Sequence, residues 1–150
     1  MIIGLANDHG GVDLKNSLTE HLEQEGHKII NFGCDTEDIV DAIDYSEKAC
    51  RSFLNKEIDT AVLICKTGVA MNVSANKIKG IRCAKVDNVE QAIQCKEHDD
   101  SNIIAIAAFH GIEENIKIVD AYLSAKFTGL DRYVRRLEKL KKLEEKENNY

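Results

Sequence analysis

The chain has 150 residues, 43% hydrophobic and 31% charged, which supports one sizeable core and excludes a disordered chain. A formal net charge of −6 excludes general nucleic-acid binding, which needs clustered cationic surface. Five cysteines, at 34, 50, 65, 83 and 95, form no CxxC pair, which excludes the usual zinc and redox spacings and suits free thiols in a reducing cytoplasm.

The first residues, Met1 to Ala6, lack a cationic lead and are too short an apolar run for a signal peptide, so none is expected. No stretch approaches the roughly 18 apolar residues of a membrane span, so no membrane partner is expected. Ile2–Ala6 reads as a strand, and Asn7-Asp8-His9-Gly10-Gly11 as a loop opening a helix. Leu14, Leu18 and Leu22 then recur at helical spacing until Gly26 stops the helix. Lys28–Phe32 is the second expected strand, ended by Gly33. An acidic loop around Asp38–Asp44 leads to a helix near Tyr45–Asn55. Ala61-Val62-Leu63-Ile64 is a continuous apolar run of the kind buried on both faces, and a helix is expected to start near Cys65-Lys66-Thr67-Gly68. Ile81–Val86 is a fourth strand, Val89–Lys96 a helix, Glu97–Asn102 a polar loop, Ile103–Ala107 a fifth strand and Ile112–Leu123 a helix. Past Gly129 comes a basic stretch with Leu137, Leu140 and Leu143 between its charges, expected to form a helix over about 130–148 that leaves the core. It reads either as a solvated helix whose leucines pack on the domain or a partner, or as a functional element.

Strands alternating with helices imply βαβ crossovers, hence one domain over 1–150 with a parallel sheet and helices on both faces. The expected class is α/β, a Rossmann-like three-layer α/β/α arrangement with five parallel strands and an extended C-terminal helix. Ligands of such sheets bind outside the carboxyl ends of the strands. Three polar clusters stand at strand ends or beside them: Asp8-His9, Cys65–Asn72, and Glu97–Asn102. In the second, a cysteine precedes a helix start, whose free amides favour anions and favour thiolate over thiol, and Lys66 pushes the same way. Alone, the pattern more commonly marks a small buried apolar cysteine. Asp8 alone fits a helix cap, and His98 a plain turn. His9, His98 and the nearby aspartates show no metal-ligand spacing, so no metal is expected, and no GxGxxG follows the first strand to hold a dinucleotide.

In this order, NDHGG, VLICKTGVAMNVSANK, GIR at 80–82, KEHDDSN at 96–102 and DRYVRR at 131–136 resemble type B ribose-5-phosphate isomerase, from Met1 to about Lys139. The related galactose-6-phosphate isomerase subunits share that fold. The resemblance implies a cofactor-free homodimer or homotetramer with its sites at the subunit interface. It implies interconversion of an aldose and a ketose phosphate through an enediolate, with ribose 5-phosphate and ribulose 5-phosphate as the expected pair. By similarity Cys65 is the general base, Thr67 with the amides of Gly68, Val69, Ala70, Met71 and Asn72 the anion hole, and His98 the ring-opening group. Asp8 holds a sugar hydroxyl, while His9, Arg132 and Arg136 bind phosphate, with His98 and the arginines supplied across the dimer. Asp99 stands at a binding position where asparagine is usual. Lys66, Ala70 and Asn72 replace two glycines and a serine, Phe109 a common arginine, Asn7 a serine, Tyr133 a histidine, and Ala42-Ile43 a Tyr-Pro pair. These departures leave open a sugar-phosphate-binding module without turnover, or an isomerase for another four- to six-carbon sugar phosphate. An interaction protein working through its basic C-terminal helix is a further alternative.

Overall fold

A computed structural model describes residues 1–147; position 148, to which the last expected helix runs, lies outside the described residues. The strands are β1 (Ile2–Asn7), β2 (Lys28–Asn31), β3 (Thr60–Cys65), β4 (Cys83–Lys85) and β5 (Ile103–Ala107). The helices are α1 (Val12–Gln24), α2 (Ala42–Leu54), α3 (Val69–Asn76), α4 (Val89–Asp99), α5 (Ile112–Ser124) and α6 (Asp131–Glu147). Short 3-10 turns over His9–Gly11 and Ala108–His110 follow β1 and β5. All pairings are parallel, in the order β2-β1-β3-β5-β4.

The period-two alternation of strand side chains sorts the core into two layers. Val62 and Ile64 of β3 pack with Leu14, Leu18 and Leu22 of α1 and with α4 and α5. Ala61, Leu63 and Cys65 face the other way, against Ala49 and Cys50 of α2 and Met71 and Ala75 of α3. All six residues of β3 are buried, which is why it reads as an unbroken apolar run. Helix α6 stands off this sandwich, tied to it where Thr128, just upstream, donates its amide and hydroxyl to the Glu97 carbonyl, both at 3.1 Å.

Three expected boundaries are corrected. Helix α2 starts at Ala42, because Asp41 is extended, its carbonyl accepts from the Asp44 amide, and Ala42 already faces the core. Strand β4 is shorter than Ile81–Val86: the Ile81 amide closes a turn on Ile78, and the Arg82 amide goes to the Asn102 side chain at 2.8 Å. Glu97, His98 and Asp99 are the last turn of α4 rather than a loop, and the helix ends only at Asp100, in the left-handed region at φ 45°.

The ends of β1 and β2 are locked together by Asn7, whose side-chain amide donates to the carbonyls of Asp8 (2.8 Å) and Cys34 (3.0 Å). Beside it, a Cβ on Gly33 would lie 1.8 Å from Asn7 Oδ1 and 2.7 Å from the Asn7 amide nitrogen, so only glycine fits. Gly33→Ala is therefore expected to lower the unfolding free energy by about 1–3 kcal/mol, as for an overpacked core site. Urea denaturation reads this directly, and an unchanged midpoint contradicts it.

Candidate functional site

The parallel pairing sets Asn7 opposite Ile64 and Cys65 opposite Ala107, so three central strands end side by side. Three loops meet there. The Asp8 amide donates to the Ile64 carbonyl at 3.2 Å, and the Phe109 amide to the Lys66 carbonyl at 3.2 Å. Asp8 caps the 3-10 turn, its Oδ1 accepting from the Gly10 amide at 2.9 Å. Val40 donates its amide to His9 Nδ1 at 3.2 Å, so a neutral His9 carries its proton on Nε2 and offers it as a donor.

Cys65 is buried on the α3 side of the sheet, and the Gly68 amide donates to its sulfur at 3.1 Å. Gly68 sits at φ +80°, and a Cβ there would press to 3.2 Å on the Ile106 carbonyl group. Glycine thus lets the loop turn sharply against β5 and aim its amide back at the thiol. The Val69 amide is held by Thr67 Oγ1 at 3.3 Å, and the helix closes its first bond from the Asn72 amide to the Gly68 carbonyl. Helix geometry leaves the amides of Ala70 and Met71 without an intrahelical acceptor, beside the positive end of α3. Among the other thiols, burial pushes Cys50 and Cys95 up to about 11 and raises Cys34 and Cys83. Those four are kept as neutral thiols by the apolar interior.

His98, Asp99, Arg132 and Arg136 stand elsewhere. His98 lies at the end of α4, just ahead of β5, and Asn102 pairs with Thr60 at the amino end of β3. The five residues of β5, at about 3.3 Å each, separate this group from Cys65. Within one chain the expected site residues therefore fall into two clusters at opposite edges of the sheet. The cluster at the amino edge is organised by Tyr133, which is buried. Its ring stacks on His98 (centroids 4.5 Å apart, interplanar angle 11°), and the guanidinium carbons of Arg132 and Arg136 lie 4.6 Å and 5.5 Å from its centroid. Asp99 is exposed beside it, on the wall of a groove between α6 and the sheet.

Two features escaped the sequence reading. Tyr133 figured there only as a replaced histidine; its i, i+3 spacing to Arg136 was the available signal for a platform. Lys85, Asp87 and His110 form a network at the ends of β4 and β5, with Lys85 on both Asp87 oxygens at 2.7 Å and His110 Nε2 2.8 Å from Oδ1. The Lys85 hydrogen bond, with that of His110, holds the Asp87 carboxyl below the usual range. No group of three or more His, Cys, Asp or Glu side chains among the described residues is arranged to hold a metal ion. Nor is any described helix long and apolar enough to cross a membrane.

The stacking has a spectroscopic consequence. His98 ring protons are expected upfield of ordinary histidine positions, and Tyr133→Leu is expected to return them there. Proton–carbon NMR of the imidazole groups checks this; unmoved His98 signals in the variant contradict the stack.

A family described as Ribose/Galactose Isomerase matches residues 3–140. The chain is 31% identical over 147 residues to ribose-5-phosphate isomerase B of Escherichia coli, covering 97% of this chain and 98% of that protein. The solved ribose-5-phosphate isomerase B of Clostridium thermocellum superposes with a TM-score of 0.96 at 35% identity, over 99% of this chain and all of the other. The Mycoplasma genitalium enzyme of the same name, solved with bound ribulose 5-phosphate, gives a TM-score of 0.89 at 33% identity, with 96% of each chain covered.

Proposed function

The chain belongs to the ribose/galactose isomerase family, and from that premise we propose that it interconverts ribose 5-phosphate and ribulose 5-phosphate with Cys65 as the base. The observation that carries the cysteine's role is the hydrogen bond from the Gly68 amide to Cys65 Sγ at 3.1 Å, at the start of a helix aimed at the strand ends. A backbone donor and a helix N-terminus put an electropositive environment around the sulfur that is to accept the proton. In the open-chain aldose phosphate, Cys65 takes the proton from C2 and the electron pair moves toward the carbonyl, giving an enediolate. The O2 hydroxyl proton passes to O1, the same thiol returns its proton to C1, and the C2 carbonyl of the ketose is left. The amides of Ala70 and Met71 and the Thr67 hydroxyl are donors for the oxyanion, fixed before the charge develops.

Asp8 Oδ1 is occupied by the Gly10 amide, which leaves Oδ2 for a sugar hydroxyl. His9 offers Nε2–H toward phosphate. His98 for ring opening, with Arg132 and Arg136 as bidentate phosphate ligands, completes the set, and the length of β5 between them and Cys65 favours their supply by a second copy of the chain. A homodimer is also favoured by the groove of about 1140 Å³ between α6 and the sheet, where the half-exposed side chains of Val134, Leu140 and Leu143 stand unburied. The five free thiols fit a reducing cytoplasm.

A second reading, a sugar-phosphate-binding module without turnover, draws support from Asp99, a carboxylate beside the proposed ring-opening histidine. A coupled assay on ribose 5-phosphate separates the two. Wild-type turnover is expected, with Cys65→Ala lowering kcat by about 10²–10⁴-fold, as for loss of a general base, while the variant still binds sugar phosphate in calorimetry. Equal turnover in Cys65→Ala removes the cysteine from the chemistry. Binding by wild type without turnover selects the module.

A further inference from the structure

We propose that Lys66 is a phosphate ligand of the Cys65 half-site, working beside His9 to select an anionic sugar; this rests on the isomerase reading above. The first support is charge. The carboxyl-end loops (8–11, 32–41, 66–68, 86–88 and 108–111) carry Asp8, Asp35, Glu37, Asp38, Asp41 and Asp87, and Lys66 is their only lysine or arginine. Arg132 and Arg136 are proposed to come from the second copy. Within the chain that supplies Cys65, a dianionic phosphate approaching that edge therefore meets like charge unless a cation stands among the acids.

The two lysines next to these loops are already engaged. Lys15 is buried and donates to the Cys34 carbonyl and to Asp35. Lys85 spends its ammonium on both oxygens of Asp87. Lys66 is exposed and pairs with no carboxylate among the described residues.

The second support is position. The Lys66 carbonyl is pinned by the Phe109 amide at 3.2 Å, and its backbone N and Cβ lie 3.4 Å and 3.5 Å from where a Cβ on Gly10 would stand. The side chain therefore departs beside Gly10, whose chain neighbour His9 keeps its Nε2–H as a donor after the Val40 contact. An ammonium and an imidazole donor carried on these adjoining loops suit a tetrahedral anion, which accepts from several directions. Phe109, whose amide holds the Lys66 carbonyl, is exposed and offers no polar side-chain atom. A cation in this loop binds the phosphate from the same chain that supplies Cys65.

The test compares wild type with Lys66→Gln, Lys66→Arg and, as a surface-charge control, Lys117→Gln. Position 66 is exposed and has no left-handed backbone angle, so the changes leave the fold unstrained. Steady-state kinetics on ribose 5-phosphate are run beside calorimetric titration with inorganic phosphate. Lys66→Gln is expected to raise KM and weaken phosphate binding about tenfold, with kcat nearly unchanged, as for loss of one charge-assisted hydrogen bond. Lys66→Arg is expected to restore both, and Lys117→Gln to match wild type. Unchanged KM and phosphate affinity in Lys66→Gln overturns the proposal. So does a fall in kcat at constant KM, which would assign Lys66 to the thiol or the oxyanion. Should wild type show no isomerisation, the isomerase reading fails on its own, and the phosphate titration still decides whether Lys66 is an anion ligand.

Discussion

Parallel pairing of β3 between β1 and β5 is the constraint from which the rest follows. Because the three strands run together and end together, the loops after Asn7, Cys65 and Ala107 are forced into one place, and everything entering those strands is forced to the other edge. The pairing is stabilised by a strand buried along its whole length, with apolar layers on both faces. Cys65 is the last residue of that strand, so its sulfur is positioned by the core rather than by a mobile loop.

The two edges differ in chemistry. The carboxyl edge has a thiol, helix-start amides and many carboxylates. The amino edge near α6 has an imidazole and two guanidinium groups gathered on one buried tyrosine ring. The proposed reaction draws on both sets, and within one chain the length of β5 lies between them. The homodimer proposed above would join them, each copy offering its carboxyl edge to the other's α4–α6 corner.

Much of the fold was legible because the strands announce themselves as short apolar runs punctuated by glycine. The boundaries that moved did so for reasons periodicity cannot carry. Ile81 and Arg82 have the composition of a strand, but their amides are claimed by a turn and by Asn102. Glu97 to Asp99 look like a polar loop, yet the helix runs on until Asp100 takes a left-handed conformation. The place of Cys65, between a buried strand and a glycine-started helix, was legible. Its role as base came only from the resemblance to a family, because the same pattern marks a small buried thiol. The His98 half was not legible, because α6 docks through long-range contacts, Thr128 on Glu97, the Gly80 amide on Glu144 and Tyr133 on His98, that leave no local pattern. Resemblance to a family pointed to His98, Arg132 and Arg136; Tyr133, which holds them together, emerged only from the stacked rings.

The shared site is tested most directly by mixing two variants, Cys65→Ala and His98→Ala, each poorly active alone, under conditions where native mass spectrometry shows that subunits exchange. Sites built from two chains predict recovery to about a quarter of wild-type turnover, since half the dimers are mixed and each mixed dimer holds one intact site of two. Full subunit exchange with no recovery would mean that Cys65 and His98 act within a single chain, and the two-edge arrangement would be wrong.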